Sequence, residues 1–421
     1  MARWMLRRYA ASFEGLPHKV WLVALALLLN RCGTMVFPFL ALYLSEVRGF
    51  EPLAIGWILA ASGLGGALGC YLGGWLTSRI GPVAVMLASF ALSVPAYAVI
   101  PFCSELEWLL AALVLRQFMA DLARPAAATG VTLFVDEEQH AQAIALNRLA
   151  NNLGFSIGPV IGGLLAEINF FWLFPVNAAA SGIAAVVVLT TLGKHLRELP
   201  DTSDGNLPAS TTRGPWTDRQ FLAFLGLFIL IEVVAFQTVT TLPLFWREQC
   251  HLSKFAIGVL YAVNTLMVVL FEMPLTHSIK RFPPLMLVAI GTIFVAIGFG
   301  LTPWCGSFLA AAALVALWTV GEMISAPFSA TYVAGRSRRS QRGAYMGAYS
   351  VTIAVAGVIA PVIGTALYRS DPNLPWWCAI VSLGTAAVGM AALARRDRGP
   401  LSRTPAILLE EVDSPSAVVG L

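Results

Sequence analysis

Charge is what this chain has least of: Asp, Glu, Lys and Arg make up 12% of its 421 residues, about half the share of an ordinary soluble protein. A soluble domain of that length could bury a large core. It could not also hide apolar runs of more than about 18 residues recurring along the whole chain. Other absences narrow the function classes. The six cysteines form no CxxC pair, and the five histidines show no HExxH or other metal-ligand spacing, so nothing points to a metal site. No P-loop GxxxxGK[ST] occurs, and a net charge of +4 is no nucleic-acid signal. No cofactor, no nucleic-acid partner and no enzymatic reaction is expected.

What is present is length of apolar sequence. Apolar segments run at about 20–44, 53–77, 83–103, 108–134, 143–167, 171–193, 220–245, 255–277, 285–304, 308–334, 344–368 and 376–394. Each is long enough to cross ~30 Å of hydrocarbon as a helix at a rise of about 1.5 Å per residue. Strands of a membrane barrel would alternate apolar and polar residues over ~10 positions, and these runs are continuously apolar. The first is also too long for a cleaved signal. If both termini are cytoplasmic, nineteen Lys and Arg fall in inside segments, and only Arg48, Arg247, Lys254 and Arg369 outside, as the positive-inside rule requires. Cys103, Cys250, Cys305 and Cys378 fall near that outer side. They could pair if it is oxidising, but the preferred reading is free core residues.

The sequence also repeats itself. Pro159-Val160-Ile161-Gly162 returns 202 residues later as Pro361-Val362-Ile363-Gly364, and the same offset pairs Pro125 with Pro327, Thr129 with Thr331 and Leu165 with Leu367. Two related halves in a membrane protein imply a site at their interface and rocking around it. The expected architecture is therefore an all-α membrane protein of twelve transmembrane helices in two pseudo-symmetric six-helix bundles. The first bundle is residues 1–198 and the second 219–398. A Pro, Ser, Thr and Gly-rich cytoplasmic linker, 199–218, joins them, and a disordered cytoplasmic tail follows at 399–421.

Ionisable residues inside spans are costly, about 2.5–3.5 kcal/mol each on insertion scales, so they usually face a cavity, a partner or a proton path. Glu322, Asp121 and Glu232 are the candidates for proton coupling. Asp121 and Glu322 occupy equivalent spans one residue out of register, although Arg124 shares a helix face with Asp121 and offers it a structural ion pair. Asn30, Arg31 and Arg116 are the candidates for substrate binding, because nothing local neutralises Arg31 and its fork of donors suits an anionic group. Arg148 also falls within a span. Glu272, beside Pro274 and within reach of Lys280 and Arg281, reads as structural.

Small residues four apart in Gly154, Gly158, Pro159, Gly162 and Gly163 let helix backbones approach closely, and Pro159 bends the helix. That string matches the motif G-x-x-x-G-P-x-x-G-G, and the chain resembles the major facilitator superfamily, within it the twelve-helix bacterial drug:proton antiporters. The resemblance implies that these residues, with Pro361 and Gly364 in the second half, shape contacts that matter for conformational change. The family's cytoplasmic loop pattern G-x-x-x-D-R-x-G-x-R-R is only partly present, as Gly74, Arg79 and Gly81, with Ser78 in place of the acid. Of the fourth-span motif only Arg116 carries over, as a proton-relay candidate. The stretch GEMISAPFSATYVAG is similar to exporters that place an acid at Glu322.

The resemblance implies a secondary exporter of amphipathic small molecules, driven by the proton gradient through alternating access. It would act as a multi-pass monomer in a bacterial inner membrane, with the lipid bilayer, a small-molecule substrate and protons as partners. The alternative is proton-coupled uptake of a nutrient, peptide or siderophore-like solute, which Arg31 and the incomplete loop favour.

Overall fold

The computed structural model describes residues 13, 15–136, 139–196, 198–199, 214–337 and 341–396. The tail expected at 399–421 and most of the linker expected at 199–218 lie outside the described residues.

Twelve spans cross the molecule among the described residues. They are α1 (His18–Val47), α2 (Pro52–Ile80), α3 (Pro82–Val99), α4 (Leu106–Thr132), α5 (His140–Ile168), α6 (Leu173–Leu192), α7 (Arg219–Thr238, continued by Thr241–Glu248), α8 (Lys254–Ile279), α9 (Pro284–Gly300), α10 (Phe308–Arg336), α11 (Arg342–Ser370) and α12 (Leu374–Arg396). Eleven of them are apolar enough to be recognised by hydropathy alone. The exception is α4, whose 27 residues carry Glu107, Arg116, Asp121 and Arg124. Helices are the form such runs must take, because lipid offers no partner to a backbone N–H or C=O.

Local chemistry sets where the helices begin. Proline opens α2, α3 and α9, where a missing N–H costs nothing. The side chains of Asp218, Ser253 and Ser307 cap α7, α8 and α10 by accepting from backbone N–H groups one turn in. Gly81 turns the chain between α2 and α3 at φ 89°. A side chain there would be strained, and it would also run into the carbonyl of Glu198. The first span breaks at Gly33–Met35 and the seventh at Val239–Thr240, nearly equivalent places in the two halves.

The repeat is realised in contacts. Gly162 of α5 rests on Met35 and Phe39 of α1, and Gly364 of α11 on Gln237 and Thr241 of α7; each partner lies 202 residues from its counterpart. The halves meet in the same paired fashion. Gly258 of α8 lies on the carbonyl of Pro159 in α5, and Gly56 of α2 lies on the carbonyl of Pro361 in α11, again at an offset of 202. Both contacts bring backbone against backbone, with no room for a Cβ. The five marked positions of α5 therefore divide. Pro159 and Gly163 face the other half, Gly163 against Lys254 and Phe255, whereas Gly154 and Gly158 pack on Arg31 and Cys32 of α1 and Gly162 on Met35 and Phe39.

At the face away from the linker, ion pairs tie the halves together. Glu46 of α1 accepts from Arg247 of α7 at 2.8 Å and pairs with Lys254 of α8 at 2.9 Å, and Glu51 meets Arg369 of α11 at 3.2 Å. Three of the four basic residues that the charge count placed on that side are thus spent holding the halves closed there. At the linker face, Asp218 binds Arg336 through two bonds of 2.7 and 2.9 Å and accepts from Tyr345 at 3.2 Å, all within the second half. Arg79, in the last turn of α2, stacks over Trp75 at 4.8 Å, and Gly74, one turn earlier, only grazes Pro125.

Candidate functional site

Three cavities with shared walls occupy the middle of the molecule. One, of about 270 Å3, lies inside the first half and is lined by Asn30, Arg31, Arg116, Gln117, Asp121, Arg124, Asn147 and Asn151 among others. A second, of about 400 Å3, is lined mainly by α7, α8 and α10, and it also receives Arg148, Asn152 and Phe155 from α5. The third, about 280 Å3, lies between α1, α2 and α4 on one side and α7 and α11 on the other. It shares Phe37, Arg116, Gln117, Asp121 and Arg124 with the first and Val239 with the second.

Helical spacing assembles the walls. On α4, Arg116, Gln117, Ala120, Asp121 and Arg124 recur at three- and four-residue steps, so one face of the helix carries a chain of polar contacts. Arg116, 2% exposed, donates to Gln117, Gln117 donates to Asp121 at 2.7 Å, and Arg124 pairs with the other Asp121 oxygen at 2.7 Å. The Arg116 guanidinium also lies 5.7 Å from the centre of the Tyr97 ring, a cation–π geometry. Asp121 is thus a paired carboxylate, whereas Arg31 has spare donors. Its Nε donates to Asn151 at 2.8 Å, and its two terminal nitrogens have no hydrogen-bonding side chain among the described residues. Asn30 donates to Ser181 at 3.3 Å.

In the second cavity, Glu322 of α10 accepts from Asn264 of α8 at 3.0 Å, and the same amide reaches Thr319 at 3.0 Å. Glu322 opens onto the cavity. Glu232 of α7 lines it too, without a hydrogen-bond or ion-pair partner among the described residues. Glu272 was expected to rest against Lys280 and Arg281. It is bound instead by Arg148, which reaches across from α5 in the other half. Arg281 lies over the Phe282 ring at 5.1 Å. The walls are consequently of opposite sign: three arginines and one acid in the first cavity, three acids and one arginine in the second.

All six residues singled out for coupling and binding line these cavities. Several wall residues escape a search for charge. Gln117, Asn147, Asn151 and Asn264 carry none, and their only signal is a polar amide inside an apolar span, spaced four apart at Asn147 and Asn151. One apparent motif dissolves: Gly154-Phe155-Ser156-Ile157-Gly158 spells GxSxG. It lies in mid-helix, with Ser156 Oγ donating to the Leu153 carbonyl at 2.7 Å, not on the strand-to-helix turn a nucleophile needs.

The sequence model of the Major Facilitator Superfamily matches residues 23–361. Among curated proteins, an uncharacterized MFS-type transporter of Bacillus subtilis, YqjV, is 24% identical over 82% of this chain and 85% of its own. A Na(+), Li(+), K(+)/H(+) antiporter of Planococcus maritimus is 25% identical over 86% and 91%. Multidrug resistance protein MdtH of Aeromonas salmonicida is 23% identical over 87% and 92%. Among solved structures, a mutant peptide transporter POT in complex with sulfate superposes with a TM-score of 0.76 at 15% identity, covering 91% of this chain and 95% of that one. At that identity the likeness is one of fold.

Proposed function

The chain belongs to the major facilitator superfamily, and from that premise we propose that it is a proton-driven exporter of amphipathic small molecules, working by alternating access. Its fold is that of a membrane transporter and not of an enzyme. The observation that carries the finer reading is the second cavity. Among the described residues Glu232 stands there unpaired and Glu322 is held by one amide, in a space walled by both halves. Acids so placed can exchange protons with whichever side of the membrane the cavity faces. Relatives named for cation/proton antiport and for multidrug resistance support the same reading.

In the cycle, a proton neutralises Glu322 or Glu232 while the cavity is open to the outside, and a cationic group on the substrate is released. The halves then turn about the paired glycine–proline contacts. On the cytoplasmic side the acid gives up its proton and regains a charge for the next molecule. Closure by Glu46, Arg247 and Lys254 away from the linker corresponds to the inward-facing state, with the linker face cytoplasmic as the lysine and arginine count indicates. Asn30, Arg31 and Arg116 supply the second pole of the site, which suits a substrate with an anionic as well as a cationic group. The protein works as a monomer in a bacterial inner membrane. Each substrate can bias the motion only by binding one state better than the other.

Inverted membrane vesicles with an imposed proton gradient test this. Uphill accumulation of an amphipathic cation or zwitterion is expected, with loss in Glu322→Gln. Proton-coupled uptake is the second reading, favoured by the spare donors of Arg31; it predicts accumulation in right-side-out vesicles only.

A further inference from the structure

At the face away from the linker, two cysteines meet. His251, at φ 50°, turns the chain sharply after α7 and sets Cys250 inward, where it is 8% exposed. Its Sγ donates to the carbonyl of Cys305 at 2.8 Å, and Cys305, 5% exposed, ends the short 3-10 turn Thr302–Trp304 that follows α9. The two thiols also lie close enough to perturb one another. The neighbouring Cys250 side chain holds the Cys305 thiol below its usual value, against the opposing effect of burial.

The duplicated architecture shows that this spot is a joint. Position 250 corresponds to Arg48 and position 305 to Cys103 in the first half. There Arg48 donates to the carbonyl of Ser104, the residue after Cys103, at 2.7 Å. In both halves, therefore, the outer end of the first helix is fastened to the turn between the third and fourth. The first half uses a hydrogen bond from a charged side chain. The second half has a pair of sulfurs.

The geometry points to a disulfide between Cys250 and Cys305 as the second half's fastening. The oxidant is a disulfide of the glutathione type or a protein disulfide. The Cys305 thiolate attacks one of its sulfurs, forming a mixed disulfide and expelling a thiolate. Cys250, losing its proton, then attacks the Cys305 sulfur and expels the second thiolate. Two thiols and one oxidant disulfide become one protein disulfide, two reduced thiols and no free electrons. Both sulfurs are buried in the folded protein, so the exchange takes place as the hairpins dock. The bond would fix the end of α7 that presents Arg247 to Glu46.

The full chain, synthesised into lipid nanodiscs with oxidised glutathione present, should be trapped with N-ethylmaleimide and digested without reduction. A peptide joining Cys250 to Cys305, lighter than its two parts by two hydrogen atoms, is expected. Reductant should also lower the thermal midpoint of the unaltered chain and leave that of Cys250→Ser unchanged. Maleimide on both Cys250 and Cys305, or linkage of either to Cys103 or Cys378, would overturn the proposal. Should Cys250→Ser fail to fold, the digest of the unaltered chain decides alone.

Discussion

Glu322 and Asp121 occupy nearly equivalent positions in the two halves yet are held in opposite ways, and substitution should separate them. Glu322 touches one neutral amide, so Glu322→Gln keeps the contact and removes only the exchangeable proton. Uphill accumulation in vesicles should fall by about tenfold or more, roughly 1.4 kcal/mol of lost coupling, while downhill counterflow of substrate persists. Asp121 is paired with an arginine whose side chain is 60% exposed. Asp121→Asn should therefore cost at most about 1 kcal/mol of stability, read from the thermal midpoint in detergent. The acids could be read from the sequence because an ionisable group inside a long apolar run has few cheap explanations. The amides around them could not, since an asparagine such as Asn264 also occurs in helices as simple packing. Which cation reaches Glu272 was equally hidden: proximity along the chain favours Lys280 and Arg281, but Arg148 arrives from another helix.

At the level of helices, two joints invite tests. Asp218 caps α7 through the backbone of Gln220 and Phe221 and binds Arg336 at the end of α10. Burial acts to raise the Asp218 carboxyl, but Arg336, the Phe221 N–H and Tyr345 outweigh it and hold it below its usual value. Such a group stabilises fully at pH above about 4, the unfolded carboxyl's range, and the benefit disappears as pH drops through the lowered folded value. The thermal midpoint of the unaltered chain should accordingly decline in acid more steeply than that of Asp218→Asn. Asp218→Ala should cost about 1–2 kcal/mol at neutral pH through the cap alone. Gly258→Val is the second test. Its Cβ would strike the Pro159 carbonyl, so the halves must part there, at about 1–3 kcal/mol, seen as a lower midpoint and loss of transport. Twelve helices follow from apolar length, even α4, where the charged network defeats hydropathy. Which glycine meets which helix does not follow, because small residues at four-residue spacing mark a close approach without naming the partner. Gly154 and Gly163 share one motif and serve different contacts.

For the whole molecule, the ties at the far face set the balance between open and closed forms. Glu46 meets Arg247 and Lys254 together, so Glu46→Gln leaves two cations facing each other and should populate the form opened on that side. A cysteine introduced by Phe37→Cys, in the wall shared by two of the cavities, should then react faster with an impermeant maleimide added there. Unchanged labelling would show that the backbone contacts alone keep that side shut. The duplication announced two halves, but the charges clamping them were invisible because they lie at helix ends, where basic residues read only as evidence of sidedness.

Arg148 rides on one half while Glu272, Glu232 and Glu322 ride on the other. Whenever the bodies tilt far enough to withdraw the guanidinium, the acid cluster is left short of one positive charge. Under the proposed function, a hydron or the ammonium of a cargo molecule would supply it. Antagonism between the two passengers would thus be written into which body each charge is bolted to, with no messenger needed between them.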